Sequence, residues 1–141
     1  MGGCLDGVRV LELARYQAGP RGGMILSDLG AEVIKIERLG GEETRKNPPI
    51  VRGQSVYFTV YNRGKKSLCL DMRTERGKQI FAELVPTADI VLQNFRPGVM
   101  ERVGLTYVRT YPSSMTAPVA DVGEGEVEYA MTREQWEHLA T

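Results

Sequence analysis

The chain contains 141 residues, a length that suits one domain and buries roughly two thirds of the unfolded chain's surface. Its 42% apolar and 26% charged residues are ordinary for a globular protein, and no apolar run reaches transmembrane length. The formal net charge is zero, but 17 Lys and Arg against 12 Asp and Glu give residues 1–110 a charge of +5. This basic part suits an anionic small molecule, although scattered surface Lys and Arg explain it as well. No nucleic-acid or membrane partner is expected, because no Lys/Arg run alternates with aromatic residues.

Cysteine and histidine usage predicts neither a disulfide framework nor a bound metal. Cys4 and Cys69 are isolated thiols, and Cys69 is expected to be buried in an apolar strand. His138, the single histidine, has no Cys or carboxylate cluster near it at metal-ligand spacing. The N-terminus lacks the apolar core of a signal peptide, so a reducing, cytoplasmic setting is predicted.

The first part of the chain predicts a strand, a loop, a helix and a second strand. Residues 8–13 form an apolar run suited to a strand buried on both faces. Residues 15–23 are a loop that leads into a helix, with Pro20 able to sit in its first turn and Gly30 ending it. Residues 31–38 form the second strand. The loop and the helix N-terminus then lie beside the carboxyl ends of two parallel strands, where α/β proteins bind phosphorylated ligands.

The middle of the chain continues this alternation. Residues 39–54 form a polar loop whose length suggests a ligand-covering or partner-facing role. The aromatic run 55–61 fits either a strand or a short buried helix. Residues 67–72 predict a third strand, Thr74 caps a helix that runs to about residue 85, and residues 88–93 predict another buried strand. The pattern predicts an α/β fold, a Rossmann-like and mainly parallel sheet with helices on both faces.

The character of the chain changes after residue 107. Residues 99–103 predict a short helix, but residues 108–125 have no helical or strand period and are interpreted as a linker. Residues 126–141 predict a tail made of a short strand and an amphipathic helix. The predicted organisation is therefore one ligand-binding part over residues 1–107, a linker and a tail.

The glycines of the first loop do not identify a ligand by themselves. Gly19, Gly22 and Gly23 are out of register for the dinucleotide fingerprint, and no Gly-Lys-Ser/Thr follows as in a P-loop. They are interpreted as turn and packing residues, and an NADP-binding domain is disfavoured.

Two charged positions allow a structural and a functional interpretation. Arg38, at the end of the second strand, suits either a bidentate phosphate contact or a solvated ion pair with Glu37. Asp71 precedes a capped helix and is interpreted as a turn residue rather than a nucleophile.

Five segments together carry a family resemblance: LDGVRVLEL, QAGP, SDLGAEVIKIER followed by GGEETR, YFTVYNRGKKSLCLDM and ADIVLQNFRPGVMERVGLTY. They resemble the N-terminal part of the family III CoA-transferases, the group that contains formyl-CoA and carnitine CoA-transferases. The resemblance covers residues 5–107. It implies that CoA or acyl-CoA binds as substrate, and that the sheet is incomplete relative to the family's full large domain.

The resemblance also implies which residues contact CoA. Gln17 and Ala18 lie at the pocket where the acyl group reacts, with Gln17 in a supporting catalytic role, and Arg38 lies by the adenosine phosphate. The end of the third strand and the NFRPG segment continue the groove. The implied CoA-binding set is Gln17, Ala18, Arg38, Leu70, Asp71, Met72, Arg73, Asn94, Phe95, Arg96 and Arg102.

The implied activity is transfer of CoA between an acyl-CoA and a carboxylic acid. The carboxylate of a family aspartate attacks the acyl-CoA thioester and gives a mixed anhydride and free CoA, and the acyl acceptor is then exchanged through an aspartyl-CoA thioester. That aspartate lies well downstream of the NFRPG segment, and no stretch of this sequence matches it. We therefore expect a CoA-binding fragment that is not catalytically complete alone.

Two alternatives remain open at this point. A fragment similar to α-methylacyl-CoA racemase shares the N-terminal pattern, although Gln17 favours a transferase. A non-catalytic dimerisation or interaction module is the second, because a short fragment exposes sheet edges and apolar surface, which predicts a homo-oligomer. The tail either resembles a strand and helix of the family's small domain or is unrelated to it.

Overall fold

A computed structural model describes residues 2–96, 99, 106–111 and 126–130, in two compact units, Met1–Asn94 and Phe95–Thr141. The strands are β1 (Arg9–Glu12), β2 (Glu32–Glu37), β3 (Ile50–Val51), β4 (Gln54–Ser55), β5 (Lys66–Cys69), β6 (Ile90–Leu92), β7 (Thr106–Tyr111) and β8 (Glu126–Ala130). The helices are α1 (Ala18–Asp28), α2 (Val56–Asn62) and α3 (Glu75–Leu84), with 3-10 helices at Glu43–Lys46 and Val85–Thr87.

The first unit is built on a four-stranded parallel sheet with the strand order β5-β2-β1-β6. Val10 of β1 pairs with Val33 on one side and Ile90 on the other. β1 is a central strand, and its residues Val10, Leu11 and Glu12 are fully buried. This architecture confirms the predicted α/β fold with a Rossmann-like parallel sheet.

Helices cover both faces of this sheet. On one face, Leu26 of α1 packs against a core of Val10, Ala31 and Val33. Leu11 lies on the opposite face, since strand side chains alternate, and it is fully buried as well. The connections through α1 and α2 lead from β1 to β2 and from β2 towards β5, in the direction of one edge of the sheet. The connection through α3 runs in the opposite direction, from β5 to β6 at the other edge. Right-handed connections therefore place α3 on the face opposite to α1 and α2.

Helix α1 begins earlier than the sequence predicted. The helix starts at Ala18, within the range predicted as a loop, and Pro20 lies in its first turn as predicted. Gly23 faces Glu12 so closely that a Cβ would lie 1.8 Å from the carboxylate Oε2. Glycine here permits close helix–strand packing, as interpreted, and does not mark a loop. Gly30, with a φ of 107°, ends the helix as predicted.

The predicted polar loop after β2 contains structure of its own. The 3-10 helix is followed by the β3–β4 hairpin, in which Arg52 and Gly53 have φ values of 51° and 78°.

The aromatic run that fitted either a strand or a helix forms the helix α2. Ser55 caps its N-terminus, since Ser55 Oγ accepts the backbone N–H of Phe58 at 3.1 Å. No residue of α2 is fully buried, so this helix lies at the surface. Thr74 caps α3 as predicted.

The strand order corrects two burial predictions. Cys69 lies on β5, at one edge of the sheet, and is exposed rather than buried. Ile90 lies on β6, at the other edge, and is 37% exposed although a buried strand was predicted there. An apolar run does not reveal whether its strand is central or at an edge.

The second unit contains the antiparallel pair β7–β8, with a register change between Tyr107 and Arg109. β7 continues to Tyr111, into the range interpreted as a linker, and β8 lies where the tail strand was predicted. The helices predicted at 99–103 and 132–141 fall, apart from Val99, outside the described residues. In the part of the chain that the structure describes, no helix is long and apolar enough to cross a membrane.

Candidate functional site

Four segments meet at the carboxyl edge of the parallel sheet. Residues 13–17, here called the first loop, follow β1; Arg38 follows β2, Leu70 follows β5 and Asn94 closely follows β6. Backbone hydrogen bonds of 2.9 and 2.7 Å extend the strand pairing into the first loop and to Leu70. Helices α1 and α3 lie on opposite faces, so the first loop and Asn94 flank a topological switch point. Sheets of this kind bind ligands there.

Asn94 holds the first loop in place. Its Nδ2 donates to the carbonyl of Arg15 and its Oδ1 accepts the N–H of Arg15, both at 2.8 Å. The start of α1 packs tightly beside it, since a Cβ on Gly19 would lie 2.2 Å from the Ala14 Cβ. The Asn94 amide therefore joins the loops that follow β1 and β6.

Gln17 and Ala18 lie exposed at the start of α1. Gln17 Nε2 donates to the hydroxyl of Tyr61 at 2.9 Å. Tyr61 packs edge-on against Tyr57, with ring centroids 5.0 Å apart. The sequence analysis did not predict Tyr61 as a site residue; its four-residue spacing from Tyr57 on a helix was the available signal.

A buried group of four charges, here called the charge cluster, lies beneath the first loop and consists of Glu12, Lys35, Glu42 and Lys65. These side chains are at most 3% exposed. Lys35 Nζ lies 2.9 Å from Glu12 Oε1 and 2.6 Å from Glu42 Oε2, and Lys65 Nζ lies 2.6 Å from Glu12 Oε2. Two carboxylates and two ammonium groups make the cluster neutral, which permits its burial. Burial lowers the pKa of Lys65, and the Glu12 carboxylate opposes that shift.

Glu37 anchors the segment that follows β2. It accepts two hydrogen bonds from the Arg45 guanidinium, at 2.7 and 2.6 Å, one from Ser67 Oγ at 2.7 Å and one from the Glu42 N–H at 3.0 Å. Burial alone would raise the pKa of Glu37, but these hydrogen bonds outweigh it and lower the pKa to about 2. The Arg45 guanidinium also lies over the Phe58 ring, 3.9 Å from its centroid.

Arg38 forms an ion pair with Glu43 and not with Glu37. Its Nη1 lies 3.1 Å from Glu43 Oε1, and its Nε donates to the Gly41 carbonyl at 3.1 Å. Glu37 is occupied by Arg45, which explains why the neighbouring residues do not pair. The Arg38 side chain is 55% exposed, so it places a solvent-accessible cation at the end of β2.

Asp71 forms the turn that leads into α3, as the sequence predicted for a turn residue. Its carboxylate accepts from Arg73 Nε and Nη2, both at 2.9 Å, and this pairing lowers the pKa of Asp71 to about 2. Its carbonyl accepts the N–H and the hydroxyl of Thr74 at 3.1 and 2.9 Å. Leu70 is buried and Met72 is half-buried.

The remaining predicted site residues belong to the second unit. Phe95 is half-buried and Arg96 is exposed, with the Arg96 carbonyl accepting the N–H of Val99 at 3.2 Å. Arg102 lies outside the described residues. Among the residues that are described, no group of three His, Cys, Asp or Glu could hold a metal ion.

The fold and the site define a class of protein, an α/β domain with polar and cationic groups at the carboxyl edge of a Rossmann-like sheet. More specifically, the chain belongs to CoA-transferase family III, whose family model matches residues 5–111. The match confirms the resemblance seen in the sequence.

Curated relatives carry CoA-transferase names. The chain is 50% identical over 104 residues to the probable fatty acyl-CoA transferase Rv3272 of Mycobacterium tuberculosis, covering 72% of this chain and 26% of that protein. It is 48% identical over 106 residues to acetyl-CoA:oxalate CoA-transferase of Acetobacter aceti, covering 74% and 27%. It is 39% identical over 129 residues to formyl-CoA:oxalate CoA-transferase of Rhodopseudomonas palustris, covering 88% and 30%.

Solved structures agree in fold. A CAIB/BAIF family protein from Brucella suis is 45% identical with a TM-score of 0.70, covering 76% of this chain and 30% of that one. An orthorhombic crystal form of Rv3272 from M. tuberculosis is 48% identical with a TM-score of 0.68, covering 73% and 29%. The chain thus spans between about a quarter and a third of the length of the relatives it matches.

Proposed function

We propose that this chain is the N-terminal CoA-binding part of a family III CoA-transferase, the type of enzyme that moves CoA between an acyl-CoA and a carboxylic acid. The observation that carries the proposal is the meeting of the first loop, Arg38 and Asn94 at one sheet edge in a chain of this family. An extended anionic cofactor suits such an edge, because a cation and a helix N-terminus both face it.

Arg38 is the proposed contact to the adenosine phosphate. Within the described ranges, its exposed guanidinium contacts the carboxylate of Glu43 and the backbone carbonyl of Gly41. A phosphate can replace the single Glu43 oxygen that contacts Arg38 Nη1, and exchange of a surface ion pair carries little penalty.

Gln17 and Ala18 are proposed to face the reacting acyl group, with Gln17 in a supporting role. The hydrogen bond from Gln17 to Tyr61 fixes the amide at the start of α1, next to the switch point. The rest of the proposed CoA groove consists of Leu70, Asp71, Met72, Arg73, Asn94, Phe95, Arg96 and Arg102.

The described edge residues are not proposed to supply the nucleophile. Attack on a thioester requires a carboxylate that is free to approach the substrate. Every carboxylate described at this edge lies within 3.1 Å of a lysine or arginine nitrogen. These carboxylates are Glu12, Glu37, Glu42, Glu43 and Asp71. The nucleophilic aspartate of the family is therefore proposed to lie outside this segment.

Calorimetric titration of the purified chain with CoA tests the proposal. We expect measurable binding, and Arg38→Ala is expected to weaken it about tenfold, since a charge-assisted hydrogen bond contributes about 1.5–3 kcal/mol. Arg76→Ala, which removes an exposed arginine from α3, is the matched control and should leave binding unchanged. No heat with CoA or acyl-CoA would contradict the binding proposal. Transferase turnover by the purified chain would contradict its proposed catalytic incompleteness.

A racemase-like fragment is the less favoured enzyme, because the relatives compared with this chain are named as transferases. Deuterium exchange at the α-carbon of an acyl-CoA would distinguish the two.

A second candidate function is self-association through an interaction surface. The observation that favours it is a set of apolar side chains left exposed on two neighbouring helical segments: Ile25, Leu29, Val56 and Val60. Exposed apolar residues at a four-residue spacing are typical of a helix face that packs against a partner.

A further inference from the structure

Two members of the charge cluster hold the first loop immediately before Gln17. Lys35 Nζ donates to the Ala14 carbonyl at 2.8 Å, and Glu42 Oε1 accepts the Tyr16 N–H at 2.9 Å. Tyr16 has a φ of 65°, a left-handed conformation that is unfavourable for a residue with a Cβ. The hydrogen bond to Glu42 therefore acts at the strained residue of the loop.

A third member of the charge cluster holds α1 on the other side of Gln17. Lys65 Nζ donates to the Pro20 carbonyl at 2.8 Å and to Asn62 Oδ1 at 3.1 Å, while it pairs with Glu12. The chain is thus tethered to the cluster both before and after the residues proposed to face the acyl group.

The lysines of the cluster are held by hydrogen bonds and by ion pairs. Lys35 Nζ donates to Glu12 and to the Ala14 carbonyl and forms an ion pair with Glu42, whereas Lys65 Nζ donates to the Pro20 carbonyl and to Asn62 and forms an ion pair with Glu12. Both ammonium groups are therefore committed to partners within the fold. Buried ion pairs can often be replaced by apolar residues without loss of stability, but apolar side chains cannot bond a loop carbonyl or N–H. The specific contribution of the cluster is therefore the geometry of the loop.

We propose that the charge cluster is the positioning device of the Gln17 pocket and that Glu42 is its positioning residue. Glu42 holds Tyr16 in the left-handed conformation and so sets the position of Gln17 relative to the thioester. This inference rests on the proposed function, because it assumes that an acyl-CoA binds beside Gln17.

Calorimetry with acetyl-CoA on the full chain tests the role of Glu42. Glu42→Ala removes the acceptor for the Tyr16 N–H and should weaken binding about tenfold, since left-handed strain is then no longer offset. Glu42→Gln retains an oxygen acceptor for the Tyr16 N–H but removes the charge that pairs with Lys35, so it should bind less tightly than the parent chain and more tightly than Glu42→Ala. Glu83→Ala, on the exposed face of α3, is the control and should have no effect. Equal affinities for Glu42→Ala and Glu42→Gln would overturn the proposal.

A glycine at position 16 separates positioning from general stabilisation. Tyr16→Gly adopts a φ of 65° without strain, so Glu42→Ala should matter less in that background, by about threefold or under. If Glu42 contributed only to overall stability, its removal would weaken binding equally in both backgrounds, and that result would overturn the proposal.

Hydrogen exchange at the Tyr16 amide tests the same contact without any ligand. The amide should be protected in the parent chain and in Glu42→Gln, and should exchange about tenfold faster in Glu42→Ala. If Glu42→Ala does not fold, Thr44→Val, which removes the hydroxyl that donates to Glu42 Oε1 at 2.6 Å, should also speed this exchange. Unchanged exchange in the folded variant overturns the positioning proposal. Absence of acetyl-CoA binding by the parent chain instead contradicts the proposed function.

Discussion

Gly23 lies where α1 packs directly against the charge cluster. A Cβ there would lie 1.8 Å from Glu12 Oε2 and 3.2 Å from Lys65 Nζ. We expect Gly23→Ala to lower the free energy of unfolding by about 1–3 kcal/mol, because overpacking a buried ion pair outweighs the higher helix propensity of alanine. Urea unfolding measures this difference.

Gly22 is the matched control, because it lies in the same helix one residue earlier. The nearest atom to a Cβ at this position is Leu92 Cδ2 at 3.8 Å, an ordinary contact. Gly22→Ala should therefore be neutral or stabilising by up to about 1 kcal/mol. A Gly23→Ala variant as stable as Gly22→Ala would show that α1 can move away from the cluster at little expense.

Residues with local roles could be predicted from the sequence, and residues with long-range roles could not. Pro20, Gly30 and Thr74 act within one or two turns of their own position, where sequence rules apply. The charge cluster draws its members from residues 12 to 65. Each of them resembles an ordinary surface charge until the sheet brings them together.

Glu37 connects elements rather than neighbouring residues, because it lies on β2 and bonds to β5 and to the 3-10 helix through Ser67 and Arg45. Its pKa is about 2 in the folded chain, below the ordinary 4.5. A lowered carboxyl pKa stabilises the fold above pH 4.5, and that contribution is lost as the pH falls towards 2. By linkage, Glu37 contributes at most about 3 kcal/mol to the free energy of unfolding through this shift.

The acid sensitivity can be assigned by comparing variants. Urea unfolding at pH 5.5 and at pH 3 should show a smaller loss of stability for Glu37→Gln than for the parent chain. Glu83→Gln, at an exposed site, should lose as much as the parent chain does. Some acid sensitivity should remain in Glu37→Gln, because Arg73 lowers the pKa of Asp71 as well. Identical pH dependence in Glu37→Gln and the parent chain would refute the role of Glu37.

Element types were more predictable than element positions. The strands of the parallel sheet and the helices α1 and α3 follow from apolar period and caps, whereas α2 was ambiguous because its aromatic run fits a strand equally well. The Ser55 cap decides for a helix. The exposure of Cys69 depends on strand order, which is a property of the whole sheet. The sequence predicted a phosphate-binding edge of the sheet from local patterns. It did not predict Tyr61 there, because Tyr61 reaches Gln17 from 44 residues further along the chain.

The exposed apolar residues of α1 and α2 lead to a prediction about the whole molecule. If these faces pack against a second copy, light scattering should give the mass of a dimer or larger, with a dependence on concentration. Val60→Lys places a charge on the exposed face of α2 and should shift the mass towards that of a monomer without lowering the unfolding midpoint. Gln79→Lys, at an exposed position of α3, adds the same charge elsewhere and should leave the mass unchanged. A parent chain that remains monomeric at all concentrations would remove the interaction module as a candidate. An oligomer insensitive to Val60→Lys would show that copies associate through a different surface.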